Sequence, residues 1–302
     1  MIKAVRTPCP PALDLTVPGS AGSRELAKVK AKLAAGEVLK SDDFSAYGNR
    51  AVREALREMF HGKCAYCESK IAGSQDTDVE HYRPKKGVTE ADEAGVAHPG
   101  YWWLAMRWEN LVLSCQHCNQ SRSYHVIIPD GLETEDDLRA FLERQPKTRA
   151  GKLNAFPVEG NAWVTDEGGD LATENPLILN PVDMDPDDHL EWVLFQGAST
   201  VRAKGGSAVG EATRKILGLN RRWLEEDRRI RLLEMRRLRN RLIAKLNKWL
   251  EADSSVLAEV YQAAAQEVID DLRAMTDEKQ PFAGMARAFL SQVQDEVATM
   301  QS

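Results

Sequence analysis

The stretch LSCQHCNQS, Leu113 to Ser121, sets two cysteines three positions apart and follows the second at once with an asparagine. A matching Cys-x-x-Cys lies upstream, at Cys64 and Cys67 in HGKCAYCESKI. A thiolate pair at this spacing turns both sulfurs to one side of a knuckle, and two such pairs complete a tetrahedral zinc site. Cys64, Cys67, Cys115 and Cys118 are therefore expected to hold one structural Zn2+. Four thiolates close the coordination sphere and leave no position for water. The ion then stabilises the fold, by on the order of 10 kcal/mol coupled to folding. His117, between the second pair, is expected to be an exposed bystander and not a substitute ligand.

The chain has five cysteines, and the fifth, Cys9, stands in a leader that also holds Pro8, Pro10, Pro11 and Pro18. In a reducing compartment, paired Cys-x-x-Cys indicates zinc before disulfide. IKAVRTPCPPALDL contains no apolar run of signal-sequence length, and nowhere do eighteen apolar residues run together. The expectation is a cytoplasmic protein with no membrane span. At 302 residues and 43% apolar composition the chain is long and apolar enough for a folded globular core.

Zinc ribbons often separate their pairs by about 15 to 20 residues, whereas here the gap runs from Cys67 to Cys115. The intervening chain holds VEHYRP, with Glu80 and His81, and then WENL, with Asn110; Asn119 follows the clip. These residue types suit metal-assisted phosphodiester hydrolysis. Carboxylate and amide oxygens are hard ligands for Mg2+. A neutral imidazole near the ion takes a proton from attacking water, and the ion stabilises charge on the phosphate. Adjacent residues on an ideal strand point to opposite faces. Glu80 and His81 share one site only if the strand bends or ends before Pro84.

The order Cys-x-x-Cys, Glu-His-x-x-Pro-Lys, Asn-Leu, Cys-x-x-Cys-Asn resembles the HNH endonucleases in their zinc-stapled form. The resemblance implies an α+β fold: a ββα-metal (HNH) core with a structural four-cysteine zinc, embedded in a mostly helical protein with a helical C-terminal region. It implies His81 as general base, Glu80 as acidic metal ligand, Asn110 as the residue pinning the loop between the strands, and Asn119 as the metal ligand on the helix. Glu80 and Asn119 stand where the family more often has Asp and His, and both favour Mg2+ or Mn2+ as the catalytic ion. Arg122, with Arg83 and Lys85, is an expected nucleic-acid contact. AFPV at Ala155 to Val158, LILNPVDMDPDDHLEW at Leu177 to Trp192 and EATRKILGLNRRWLEEDR at Glu211 to Arg228 resemble the HNH subfamily of anti-phage operons. That subfamily includes Septu (PtuB) and retron-associated nuclease subunits, which work in a hetero-oligomer with an ABC/SMC-like ATPase subunit (PtuA). Phage DNA and a host RNA such as tRNA are both open as substrates, DNA being favoured. A non-catalytic zinc adaptor that binds nucleic acid or the ATPase is the competing expectation.

The remaining pattern suggests an N-terminal arm with helices (1–58), an HNH core (59–160) with a helical insertion at about 129–150, an irregular β region (161–210) and a helical region (211–302). Helices are expected at SRELAKVKAKLAAGEV, with a Ser cap, and at NRAVREALREMF, with Val52, Leu56 and Phe60 on one face. Another is expected within HPGYWWLAMRWENL, its Trp102, Met106 and Trp108 being core, and one is expected to begin at CNQSRSYH. His125 is a candidate phosphate or metal contact, and His189 and the acids of DMDPDD suit a helix N-terminus. The net charge of −6 conceals an asymmetry: from Glu211 to Leu250 thirteen Arg or Lys face five Asp or Glu, and from Glu251 to Ser302 three face ten. The basic helix must bury its Leu232, Met235, Leu238, Leu242, Leu246 and Trp249 face. Its other face suits a phosphate backbone, an acidic partner, the acidic C-terminal segment, or solvent alone.

Overall fold

The computed structural model describes residues 1–71, 78–127, 143–144, 147–194 and 198–300. The Ser20 hydroxyl accepts from Ser23 N at 3.0 Å and starts α1 (Ala21–Ala34), three residues ahead of the serine expected to cap it. Asn49 caps α2 (Arg50–Met59), whose Val52 and Leu56 are buried together with Phe60 just past its end. The first cysteine knuckle follows directly.

Strand β1 (Asp78–His81) pairs antiparallel with β2 (Leu111–Ser114), setting Glu80 opposite Val112 and His81 opposite Leu111. Between them lies α3 (Thr89–Glu93). The helix expected around residues 101–108 is not formed; Trp102–Leu104 and Trp108–Asn110 are two separate 3-10 turns. The reason lies in where the carbonyls go. Leu104 O accepts from Asn110 Nδ2 at 3.2 Å, and Ala105 O meets His81 Nε2 at 2.9 Å, so side chains take acceptors that a helix would use for its own amides. Met106 and Trp108 are core, as expected, and Trp102 packs against it half-buried.

After β2 the chain makes one helical turn, α4 (Gln116–Asn119). The expected continuation through Tyr124 is replaced by β3 (Arg122–Tyr124), paired with β4 (Thr148–Ala150). Cys118 O and Asn119 O accept Lys152 N at 2.8 Å and Leu153 N at 2.7 Å, which ends the helix by taking its carbonyls outward. Most of the expected helical insertion lies outside the described residues, and its last three residues are strand. A further hairpin joins β5 (Leu190–Val193) to β6 (Thr200–Ala203).

The C-terminal part is helical: α5 (Ala208–Ile216), α6 (Arg222–Leu250), α7 (Ser255–Ala274) and α8 (Ala283–Met300). At about 1.5 Å per residue, the 29 residues of α6 make it the longest element. It buries Leu224, Leu232, Met235 and Leu242 in the core, packs along α7 and also meets α8, where Arg239 pairs with Glu296. Part of the basic helix thus meets the acidic C-terminal segment, while Arg237, Arg241 and Lys248 stay exposed. Buried apolar residues from Met1 to Val293 form one continuous core. No helix among the described residues is long and apolar enough to cross a membrane.

Candidate functional site

The four cysteines meet. Their sulfurs lie within 4.8 Å of one another, all buried, and Cys67 Sγ is 3.7 Å from Cys115 Sγ. Tetrahedral zinc with bonds of about 2.3 Å separates its sulfurs by about 3.8 Å, so the cluster has the spacing of a zinc site, far wider than a disulfide. Ala65 N donates to Leu113 O at 2.8 Å and fastens the first knuckle to β2. The second knuckle is α4 itself, with Cys118 N and Asn119 N both donating to Cys115 O at 3.1 Å.

His81 is the last residue of β1 and is 6% exposed. Its Nε2 faces Ala105 O at 2.9 Å. A carbonyl only accepts, so Nε2 carries the proton and Nδ1 keeps its lone pair. Tyr47 packs edge-on against the ring at 4.6 Å between centroids, and Lys85 donates to Tyr47 Oη at 2.6 Å. Burial, aided by the Lys85 charge, pushes His81 down to about 3, so the ring is neutral near pH 7.

Glu80 is buried and lies 2.9 Å from Lys152 Nζ. Burial raises its pKa, and Lys152 opposes that rise. Asn119 does not bond Glu80 directly; its Nδ2 donates to Asp78 Oδ2 at 3.0 Å. Asp78 and Glu80 are two apart on β1 and so share a face. The amide orientation leaves Asn119 Oδ1 free of that bond. Two carboxylates and an amide oxygen are hard donors, and this set fits Mg2+ or Mn2+ better than a softer metal.

Asn110 is buried and clamps the loop after β1: it accepts from Arg83 N at 2.8 Å and donates to Arg83 O at 3.0 Å. The Arg83 guanidinium is turned inward to buried Glu174 at 2.7 Å, which also accepts from Tyr101 Oη and Val164 N. Arg122 is exposed beside α4, bonded to Gln116 and Gln120. His117 is half-buried against Tyr124 Oη at 3.0 Å and lies outside the sulfur cluster. His125 Nδ1 is buried without a hydrogen-bond partner, and His189 Nδ1 meets Ser207 Oγ at 2.9 Å.

No protein-family model matches the chain, and no solved structure matches it significantly. Septu protein PtuB of Bacillus mycoides is 35% identical over 228 residues, covering 76% of this chain and 66% of that protein. The chain is a homologue of Septu protein PtuB. It spans just under two thirds of that PtuB's length. PtuB of Bacillus thuringiensis is 33% identical over 82 residues, 27% of each chain. Septu protein PtuA of Bacillus mycoides is also similar, 26% identical over 175 residues, which are 57% of this chain and 20% of that protein.

In this PtuB homologue, sequence reasoning missed three charged residues around the site. Asp78 was visible only as one more acid in DTDVEH. Arg221, just before α6, is 4% exposed and points Nη1 at Cys118 Sγ (3.6 Å) and Nη2 at Cys115 Sγ (3.9 Å). A buried guanidinium there offsets the net negative charge of a four-thiolate zinc site. Lys152, fully buried, carries no motif of its own beyond the preceding glycine.

Proposed function

We propose that this chain is the effector nuclease of a Septu-type anti-phage system, hydrolysing nucleic-acid phosphodiester bonds at the end of the β1–β2 hairpin. One observation carries the reading: strand β1 ends in a neutral imidazole whose Nε2 is fixed by Ala105 O, and the same strand carries Glu80 and Asp78, the latter bonded to Asn119 directly after the four-sulfur clip. His81 holds the position of general base, its Nδ1 accepting a proton from water while Ala105 O fixes the ring. Glu80 and Asn119, with Asp78, would hold Mg2+ or Mn2+, which when bound supplies charge stabilisation at the phosphate. Asn110 positions the loop that follows His81. The sulfur clip sets the distance from Asn119 to β1 and takes no part in the reaction.

The proposed partner is an ABC/SMC-like ATPase of PtuA type. The family resemblance supports it, as does the presence of a stretch similar to this chain within a PtuA of which it makes up a fifth. Substrates in this reading are phage DNA or a host RNA such as tRNA, with Arg122, exposed beside α4, and Lys85, bonded to Tyr47, as the phosphate contacts. A retron setting is the same reading with a reverse transcriptase alongside.

The burial of Glu80 and His81, at 5% and 6% exposure, favours a second reading: a zinc-stapled adaptor that binds the ATPase or nucleic acid without cutting. Incubating the chain and its PtuA-type partner with DNA and with RNA, with and without Mg2+, separates the two. Divalent-dependent cleavage supports the nuclease; binding without cleavage supports the adaptor.

A further inference from the structure

Lys152 is gripped from three directions. Its own N donates to Cys118 O at 2.8 Å, and Leu153 N donates to Asn119 O at 2.7 Å. Gly151 lies at φ +128°, where a Cβ would run into the Gln120 carbonyl. The segment 151–153 is therefore strapped onto the turn that carries Cys118 and Asn119, and only glycine allows the approach. From that strap the Lys152 side chain crosses to β1. Its Nζ lies 2.9 Å from Glu80 Oε1 and donates to His81 O at 2.9 Å. A fully buried ammonium is strongly disfavoured without an anion. The chain has built a cation into the acidic face of the hairpin, bridging the two adjacent residues Glu80 and His81.

We propose that Lys152 is a positioning residue that acts as a resident cation for Glu80: it stands against the carboxylate as its counter-charge while no divalent ion is bound, and gives up Oε1 when one arrives. This rests on the reading of Glu80 as a divalent-ion ligand. The site then exchanges one cation for another, and the buried carboxylate is never left unpaired. The arrangement also makes divalent binding weaker than the donor set alone would allow, because the incoming ion meets a positive charge at the same oxygen.

The test uses the full-length, zinc-containing chain as wild type, Lys152→Met, Glu80→Gln and the double variant. Thermal unfolding is followed with and without Mn2+, and Mn2+ binding is read by electron paramagnetic resonance. Lys152→Met is expected to melt below wild type without Mn2+ and to recover much of the loss when Mn2+ is added. It is expected to bind Mn2+ about tenfold more tightly, since a like charge near the ion is gone. Adding Glu80→Gln is expected to relieve the loss and abolish the Mn2+ response. Equal Mn2+ responses in wild type and Lys152→Met, or losses that simply add in the double variant, overturn the proposal. If Lys152→Met alone does not fold, the double variant decides: folding supports the charge pairing, and failure assigns Lys152 to packing. Cleavage enters none of these readouts. A chain that exchanges cations but never cuts refutes the nuclease and keeps this proposal; one that cuts in a His81-dependent way without exchange does the reverse.

Discussion

The side-chain amide of Asn110 holds Arg83 by both of its backbone groups, accepting from N at 2.8 Å and donating to O at 3.0 Å. Its remaining donor reaches Leu104 O at 3.2 Å. One residue thereby ties the chain leaving β1 to the turn whose next carbonyl, Ala105 O, orients His81. Asn110→Ala leaves buried backbone groups without partners and should cost about 2–4 kcal/mol of stability. Denaturant unfolding checks this, and Asn110→Asp should fare little better because a carboxylate cannot donate. A loss under about 0.5 kcal/mol would show that the clamp contributes little.

His81 predicts a pH dependence with a definite sign. Burial holds the folded ring at about 3 against 6.5 for the ordinary imidazole, so below 6.5 the unfolded chain takes up a proton that the folded chain refuses. The stability contributed by the neutral ring is full above 6.5 and is lost as pH falls toward 3. Wild type should therefore lose more stability over that window than His81→Gln does, by on the order of several kcal/mol. Identical slopes would contradict the burial. Cleavage should likewise show no inflection near pH 6.5.

Gly151→Ala should be costly for a local reason. The added Cβ collides with the backbone of Gln120, and the φ of +128° is one that other residues avoid. A loss of about 2–4 kcal/mol is expected, with melting as the measurement. A neutral outcome would mean the strap shifts freely.

The zinc clip should bind one Zn2+ per chain, and its affinity should depend on Arg221. Arg221→Met removes a buried positive charge facing Cys115 and Cys118, and zinc should pass to a competing chelator at about tenfold lower chelator concentration. Unchanged competition would make Arg221 a packing residue only.

The clip was legible because Cys-x-x-Cys needs only local geometry, so spacing alone brings each pair to a metal. Asn110 and the Glu80–His81 doublet stood out as candidates from their order around it, and the structure adds the contacts that hold them: Asn110 on the Arg83 backbone, Glu80 beside Lys152 and His81 on Ala105 O. The Leu104–Ala105 turn was not legible, since its aromatic neighbours suit a helix and only the needs of Asn110 and His81 for carbonyls forbid one. Lys152 and Arg221 were hidden for a related reason: a lone lysine in AGKLN and an arginine at the head of a basic run look like surface residues. Their burial comes from segments distant in sequence, Glu80 being 72 positions from Lys152 and Cys118 being 103 from Arg221. The single glycine before Lys152 was the one local hint, and it marks a close approach without naming what is approached.

The central claim, that His81 activates water at a divalent site beside a purely structural zinc, is tested most directly by comparing wild type with His81→Ala in complex with the PtuA-type partner. Cleavage of DNA and RNA is measured in Mg2+, together with the zinc content of each protein. The account predicts Mg2+-dependent cleavage by wild type, a loss of at least about 100-fold in His81→Ala, and the same zinc content in both. Cleavage by His81→Ala at the wild-type rate, or a wild-type complex that cuts neither nucleic acid, would contradict it.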